Sequence, residues 1–195
     1  VRAALDKGHD ATAFARSPQK LALESPRLRK VSGDFHRQDS VESVVPGHDA
    51  VIVTASATSL GAFKENPRYF SQGTAYVIDA MKKAGVKRLV VLSALGTGES
   101  RRLMNPVVRA LVLDFLLKTA FQDHDRQESM VRESGLEWVI ARPGRLTNGP
   151  ARRRYVTKTA IEPVPMSISR ADVADFLVEA CGGTKWVGQA VQLGG

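Results

Sequence analysis

Gly85-Val86-Lys87-Arg88-Leu89-Val90-Val91-Leu92-Ser93-Ala94 is the stretch whose reading decides the fold. Four apolar residues run without alternation between a charged pair and a serine. A strand that is covered by helices on both faces of a parallel sheet reads this way, because neither face needs polar side chains. Residues 69–84 precede it as an amphipathic helix, with Val77, Ile78, Met81 and Ala84 at helical spacing. The order is therefore helix, glycine turn, strand, then a polar residue at the strand's carboxyl end. In open α/β sheets the ligand crevice lies outside the carboxyl ends of the strands. Topology thus places Ser93 at a site, the plainer alternative being that it only caps or turns the chain.

The same grammar recurs on both sides. Residues 49–54 read as a second fully buried strand followed by the small polar run Ala55-Ser56-Ala57-Thr58-Ser59, and residues 135–144 repeat glycine, strand and loop. Earlier, residues 1–7 read as the last turns of a helix closed by Gly8. Residues 11–16 form a strand ended by Ser17-Pro18, residues 28–31 form another closing on Ser32-Gly33-Asp34, and residues 41–45 a short helix broken by Pro46-Gly47. Residues 96–102 read as a flexible polar loop. Asn105-Pro106 then has the form of a cap and first helical residue, opening a helical region that runs to about Glu133. Its nearly continuous apolar part, residues 107–121, is expected to be deeply buried or to meet a partner. After Gly149-Pro150 come short strands around Tyr155 and Val164, a helix opened by Ser169-Arg170-Ala171-Asp172, and a last strand at 190–193. Strands alternating with helices predict an α/β doubly wound, Rossmann-like parallel sheet. It is expected as one domain over residues 1–195, with a small C-terminal lobe after Gly144.

Composition bounds the function. A chain of 195 residues with 43% hydrophobic content can bury one substantial core. The single cysteine, Cys181, excludes an internal disulfide and points to a reducing compartment; it reads as a small buried filler rather than a nucleophile. No apolar run approaches transmembrane length and no signal-peptide pattern opens the chain, so a cytoplasmic protein is expected. The net charge of +8 favours an anionic ligand or surface without identifying one. Arg152-Arg153-Arg154 follows a Gly-Pro loop and lacks interleaved aromatics, which reads as a solvated loop rather than a nucleic-acid patch. His9, His36, His48 and His124 are scattered, without metal-ligand spacing. A small-molecule partner is expected, with no nucleic acid, membrane or metal.

A dinucleotide fold carries a glycine-rich turn between its first strand and first helix, where the backbone approaches the pyrophosphate. This sequence opens inside what reads as that first helix, and the strand and turn, on the order of 20 residues, are expected upstream of Val1. Arg16 ends the next strand, where an acidic residue would hydrogen-bond the adenosine ribose of NAD. An arginine there suits a 2′-phosphate by charge and bidentate donors, with Ser17 and Lys20 in support. The alternative is a surface arginine at a strand end.

Taken together, several stretches resemble the atypical short-chain dehydrogenase/reductases, in the NAD(P)H-binding, NmrA-like branch that includes biliverdin and flavin reductases. They are Ala15-Arg16-Ser17, Gly33-Asp34, residues 49–56, Gly73-Thr74, Gly85-Val86-Lys87-Arg88, Ser93-Ala94, Gln127-Glu128, and Ser134-Gly135-Leu136-Glu137-Trp138. Arg142-Pro143-Gly144-Arg145-Leu146-Thr147, Gly149-Pro150 and Ser169-Arg170-Ala171-Asp172-Val173-Ala174 complete the set. Their order over nearly the whole chain carries the family and leaves the substrate open.

The resemblance implies NADPH as cofactor. Arg16 and Ser17 would meet the adenosine phosphate, and Gly33-Asp34 would flank the adenine. Thr54, Ala55, Ser56, Ser93 and Ala94 would line the ribose and nicotinamide side, with Pro143 and Gly144 near the carboxamide. Two departures stand out. The glycine motif is absent from this chain, which puts cofactor binding by it in question. The Tyr-x-x-x-Lys pair of typical members is also absent, with Ala120 and His124 where it would fall. Reducing a ketone requires a positioned acid for the developing alkoxide. A flavin or quinone spreads the arriving charge, so the reaction depends chiefly on holding nicotinamide and acceptor in range. The expected activity is hydride transfer from NADPH to such a conjugated acceptor, with Ser93 and His124 as the catalytic candidates. His124 would be an acid or an orienting group, against the alternative of a surface histidine in an Asp-rich turn. A non-catalytic, NmrA-type NADP(H)-binding regulator and a fragment that binds nothing are the competing readings.

Overall fold

Val90 faces one way and its neighbours Leu89 and Val91 the other, yet all three are fully buried. Successive strand residues point to opposite faces, so the unalternating run of the central stretch marks a strand with a core on each side. Leu89 and Val91 join Val77, Ile78, Met81, Val131 and Ile140 in one cluster. Val90 joins Val139, Ile168, Phe176, Leu177 and Val191 in the other. Each such side chain contributes about 1.5–3 kcal/mol on burial.

The computed structural model describes residues 1–57 and 61–195. The expected polar run at 55–59 therefore ends, at Thr58 and Ser59, outside the described residues. Helix α1 (Arg2–Asp6) closes on Gly8, whose N–H donates to the Leu5 carbonyl at 2.9 Å with φ of +82°. Strand β1 (Ala11–Ala15), a 3-10 turn at Pro18–Lys20, and β2 (Leu28–Ser32) follow. Next come α2 (Gln38–Val44), β3 (Ala50–Val53), α3 (Gly61–Glu65), α4 (Tyr69–Ala84) and β4 (Arg88–Leu92). A 3-10 turn at Gly98–Leu103 leads to α5 (Pro106–Val108), a π-helical segment at Arg109–Leu116, and α6 (Lys118–Glu133). The C-terminal part comprises β5 (Glu137–Pro143), β6 (Arg145–Thr147), β7 (Val156–Lys158), β8 (Ser167–Ser169), α7 (Arg170–Gly182) and β9 (Gln189–Gly194).

The main sheet has the order β3-β4-β5-β9-β7. Its first four strands are parallel, in a register that sets Val53 beside Val91 and Leu89 beside Trp138, and β7 closes the edge antiparallel to β9. Among the described residues β1 pairs only with β2, in parallel, and β6 only with β8. Helices α2, α4 and α6 cover one face and α7 the other. Ser169 accepts from the Asp172 N–H and caps α7, as its sequence predicts.

Five expectations are corrected. Strand β3 is buried only at Val53, because it lies at an edge of the five-stranded sheet. Ala84 is exposed at the last turn of α4, where Gly85 leaves the helix with φ of +73°. The loop at 96–102 runs into the 3-10 turn at Gly98–Leu103, with Thr97 and Ser100 fully buried. The apolar run after Pro106 is not deeply buried throughout: Val107 and Phe115 are 74% and 75% exposed and Leu111 and Leu116 more than half, whereas Phe121 is buried. The region after Gly144 forms the β6–β8 ribbon, while β7 and β9 return to the main sheet; Val164 is buried in loop and the strand lies at 167–169. Among the described residues no helix is long and apolar enough to cross a membrane.

Candidate functional site

The carboxyl ends of β1 and β2 meet at a cleft of about 520 Å³ lined by Arg16, Ser32, Gly33, Asp34, Arg37 and Ser40, among others. Backbone pairing builds it: Gly33 N–H donates to the Ala15 carbonyl at 3.0 Å, and the Ser32 hydroxyl to the Arg16 carbonyl at 3.3 Å. Gly33 is required by close approach, since a Cβ there would stand 2.2 Å from the Phe14 ring and 2.5 Å from the Ser40 hydroxyl. Asp34 is fixed by its N–H donating to Ser40 Oγ at 3.1 Å, while its Oδ1 accepts the His36 N–H at 2.9 Å. Arg37 is committed to Asp39 through two contacts of 2.8 and 3.2 Å. Arg16, exposed at the rim, has no ion-pair partner among the described residues. Ser17 is exposed, stands at the start of the following turn without a side-chain capping bond, and does not line the cleft.

A second group of residues gathers at the carboxyl ends of β4 and β5. Ser93 N–H donates to the Ala141 carbonyl at 2.8 Å and Leu95 N–H to the Pro143 carbonyl at 2.9 Å, which continues the pairing past β4 and brings Ser93-Ala94 beside Pro143-Gly144. Thr54 directly follows β3, the strand on the other side of β4, with Ala55 half-buried and Ser56 exposed. Ser93 is 4% exposed and its hydroxyl donates to Glu128 Oε1 at 2.7 Å. Glu128 in turn faces Arg142, whose Nε lies 2.9 Å from Oε1 and whose Nη2 donates to Oε2. Glu99 completes the cluster at 3.0 Å from Arg142 Nη1. Burial alone would depress the Arg142 guanidinium, and the two carboxylates more than offset that and raise it. The hydrogen bond from Arg142 holds the Glu99 carboxyl at about 2.

His124 lies within α6, half-buried, and not in a surface turn. Its flanking aspartates are helical residues with partners of their own. Asp123 is fully buried and accepts the Phe70 N–H at 2.6 Å and the Ser71 hydroxyl at 2.5 Å, capping the start of α4. Asp125 accepts the Gly98 N–H at 2.7 Å. The imidazole stacks on Phe70, and its Nδ1 faces Gln127 Oε1 at 3.0 Å. Gln127 is oriented by its own Nε2, which donates to Thr74 Oγ1 at 2.8 Å. A carbonyl oxygen can only accept, so these partners assign the proton to Nδ1 and a lone pair to Nε2. Desolvation lowers the His124 pKa below its ordinary value. Aromatic contacts then run to this histidine from His36, whose N–H donates to the cleft residue Asp34: His36 on Tyr69 at 4.5 Å, Tyr69 on Phe70 at 5.5 Å, and Phe70 on His124 at 4.1 Å.

The cleft with an arginine at the ends of the first two strands, and the serine at the end of the buried strand, both lie at strand carboxyl ends, where ligands bind in open α/β sheets. Residues 1–182 match the profile of the NAD(P)H-binding family. The chain belongs to that family. An uncharacterized chloroplastic protein of Arabidopsis thaliana is 27% identical over 187 residues, covering 92% of this chain and 66% of that protein. The chain spans between half and two thirds of the length of the first curated relatives it matches. Among solved structures, an anaerobillin reductase from Escherichia coli O157:H7 superposes with a TM-score of 0.80 at 22% identity, covering 99% of this chain and 88% of that one. A short-chain dehydrogenase/reductase of Veillonella parvula, solved with NADP, superposes at 0.77 with 19% identity, over 99% and 87%. At these identities the likeness is one of fold, and the fold is the Rossmann-like one expected.

Of the residues expected at the adenosine end, Arg16, Gly33 and Asp34 line one cleft, together with Ser32, Arg37 and Ser40. Of those expected at the other end, Ser93 and Ala94 lie beside Pro143 and Gly144. Glu128 and Arg142 stand in family-like stretches of the sequence, but nothing in their spacing announces that they meet Ser93. Phe70, the partner of His124, gave no signal beyond its place in the apolar face of α4. Cys181 is half-buried, and burial pushes its thiol up to about 11, which disfavours the thiolate.

Proposed function

We propose that the protein is an NADPH-dependent reductase that delivers hydride to a conjugated acceptor of the flavin or quinone type. The observation that carries this reading is that Ala120 and His124 stand where the resemblance puts the tyrosine and lysine of typical members. The chain has three tyrosines. Tyr69 donates to the Ser56 carbonyl at 3.3 Å, Tyr76 accepts from Gln72, and Tyr155 faces Asp175 at 3.2 Å. Ala120 occupies the position of the family tyrosine. An alkoxide would therefore lack its acid, whereas an acceptor that delocalises charge takes its proton from water.

NADPH, when bound, supplies the hydride. The residues of this chain bind and orient. Arg16 offers a guanidinium to the 2′-phosphate, with Ser17 beside it on the chain and Asp34 at the adenine side of the cleft. Ser93 and Ala94, with Pro143 and Gly144, hold the nicotinamide side. His124 is neutral near pH 7 and acts as an orienting group through its Nε2 lone pair. Hydride transfer then depends on proximity rather than on acid catalysis.

The test is NADPH oxidation against a panel of free flavins, quinones and simple ketones. Turnover with conjugated acceptors and none with ketones is expected. Cofactor binding without turnover on any acceptor would overturn the reductase reading and leave a binding-only regulator.

A further inference from the structure

The buried ion pair of Glu128 and Arg142 does something specific to Ser93. A serine hydroxyl has one proton and two lone pairs. A carboxylate that meets an arginine can only accept. Because Ser93 Oγ stands 2.7 Å from Glu128 Oε1, the single proton of Ser93 is committed inward. Glu128 cannot turn away to release it. Its Oε1 also takes the Arg142 Nε–H at 2.9 Å and its Oε2 takes Nη2, so the carboxylate plane is fixed by a two-pronged fork. Arg142 is itself immobile, fully buried on β5 and bridged on its far side to Glu99 at 3.0 Å. Gly98 leaves room for that bridge: a Cβ there would stand 2.8 Å from Arg142 Nη2. Ser93 is held from behind as well, its N–H bonded to the Ala141 carbonyl.

We propose that Glu128, locked by Arg142, is a positioning residue that makes Ser93 an obligate hydrogen-bond acceptor toward the crevice. What Ser93 can recognise is then an N–H donor and not a carbonyl oxygen, and the donor suited to this end of the site is the carboxamide NH₂ of the nicotinamide. The inference rests on the cofactor assignment of the proposed function but not on its hydride acceptor. Polarisation of the hydroxyl by a charged partner strengthens its lone pairs as acceptors.

The probe is a cofactor that lacks this one donor. In the 3-acetylpyridine analogue of NADP⁺ a methyl group replaces the carboxamide NH₂ and the carbonyl is kept. Dissociation constants for NADP⁺, for the analogue and for adenosine 2′,5′-bisphosphate, which has no nicotinamide, separate the two ends of the site. The wild-type chain is expected to bind NADP⁺ about tenfold tighter than the analogue, the size of one hydrogen bond. Ser93→Ala should reduce that ratio to within about twofold, and Ser93→Thr should restore it. Because Glu128→Met alone strands a buried arginine, the informative variant is Glu128→Met/Arg142→Met. A buried pair exchanged for apolar residues of similar volume commonly folds as well as the parent. With its proton released, Ser93 in that variant should lose the preference too, while adenosine 2′,5′-bisphosphate binds unchanged throughout. Equal affinity of the wild type for NADP⁺ and the analogue, or no binding of either, would overturn the proposal. So would an undiminished preference in the double variant. Discrimination without any acceptor turnover would instead sink the reductase reading and leave the positioning role standing.

Discussion

The imidazole of His124 lies flat on the ring of Phe70, with centroids 4.1 Å apart and planes inclined by 17°. One face of the ring is thus dry, and the remaining polar contact is the neutral amide of Gln127 at 3.0 Å. A protonated ring is disfavoured there by desolvation, and the carboxylates of Glu128, Asp123 and Asp125 only partly counter it. The folded pKa is below the unfolded one, so the unfolded chain binds the proton first. The stability this residue contributes is complete above about pH 6.5 and is lost as pH falls through its folded value. NMR titration of the ring should place its midpoint below 6.5. Urea midpoints should fall between pH 7.5 and 5.5 by less in His124→Gln than in the wild type. A wild-type midpoint above 6.5 would remove the neutral, orienting role.

Asp123 carries a structural load that its neighbour does not. It is fully buried and takes the Phe70 N–H, the Ser71 N–H and the Ser71 hydroxyl at the start of α4. Asp123→Ala leaves two backbone donors of the first turn without a partner in the interior. A loss of about 2 kcal/mol is expected, which for a chain of this size is about 4–8 °C in melting temperature. Cofactor affinity per folded molecule should change little. Calorimetry together with binding isotherms checks both halves.

Why one aspartate reads as a turn and proves to be a cap illustrates where sequence reading works. Local periodicity is written in consecutive residues, so α4 was legible to its last residue and β4 and β5 nearly so. The buried run at Leu89-Val90-Val91 even announced the layer on each face. Strand β3 misled because an apolar tetrad cannot say whether its strand is internal or at an edge. The apolar run after Pro106 misled because helical and π-helical segments expose side chains according to what packs on them, not by composition alone. The placement of the candidate residues was legible as strand ends: Arg16, Gly33, Asp34 and Ser93 all follow the carboxyl termini of strands. Its side-chain partners were not, since Ser93 and Glu128 are 35 residues apart and Phe70 and His124 meet only once α4 and α6 pack.

Acid should loosen the far end of the same network. The carboxyl of Glu99 is held at about 2, chiefly by its hydrogen bond from Arg142. Its folded value is depressed, so the stability it contributes is present above its unfolded value near 4.5 and is lost as pH falls toward 2. The side chain is 44% exposed, and solvent screening limits the effect to about 1 kcal/mol or less. Glu99→Gln should therefore cost a little stability at pH 7 and nothing at pH 2. Chemical denaturation of both proteins at pH 7, 4 and 2.5 should give two curves that converge in acid. A gap that stays constant with pH would assign the loss to packing rather than to charge.

Cofactor preference should be set at the other end of the site, by Arg16 more than by Arg37. Both line the cleft beside Gly33 and Asp34. Arg37, however, already spends its fork on Asp39, in an exposed pair whose charges largely cancel at a distance. Arg16 brings its full charge to the end of β1, where a 2′-phosphate would arrive. A charge-assisted contact of this kind contributes about 1.5–3 kcal/mol, one to two decades in affinity. Arg16→Ala should weaken NADPH by that factor and leave NADH within about twofold, and Arg37→Ala should weaken NADPH by less than about fivefold. Raising the salt should erode the wild type's preference for NADPH, because exposed charges are screened over about 10 Å at 0.1 M ionic strength. Dissociation constants for both cofactors, measured by fluorescence at two salt concentrations, decide the matter. Parallel losses for NADPH and NADH in Arg16→Ala would make Arg16 a residue of the adenosine site in general and remove the basis for choosing the phosphorylated cofactor.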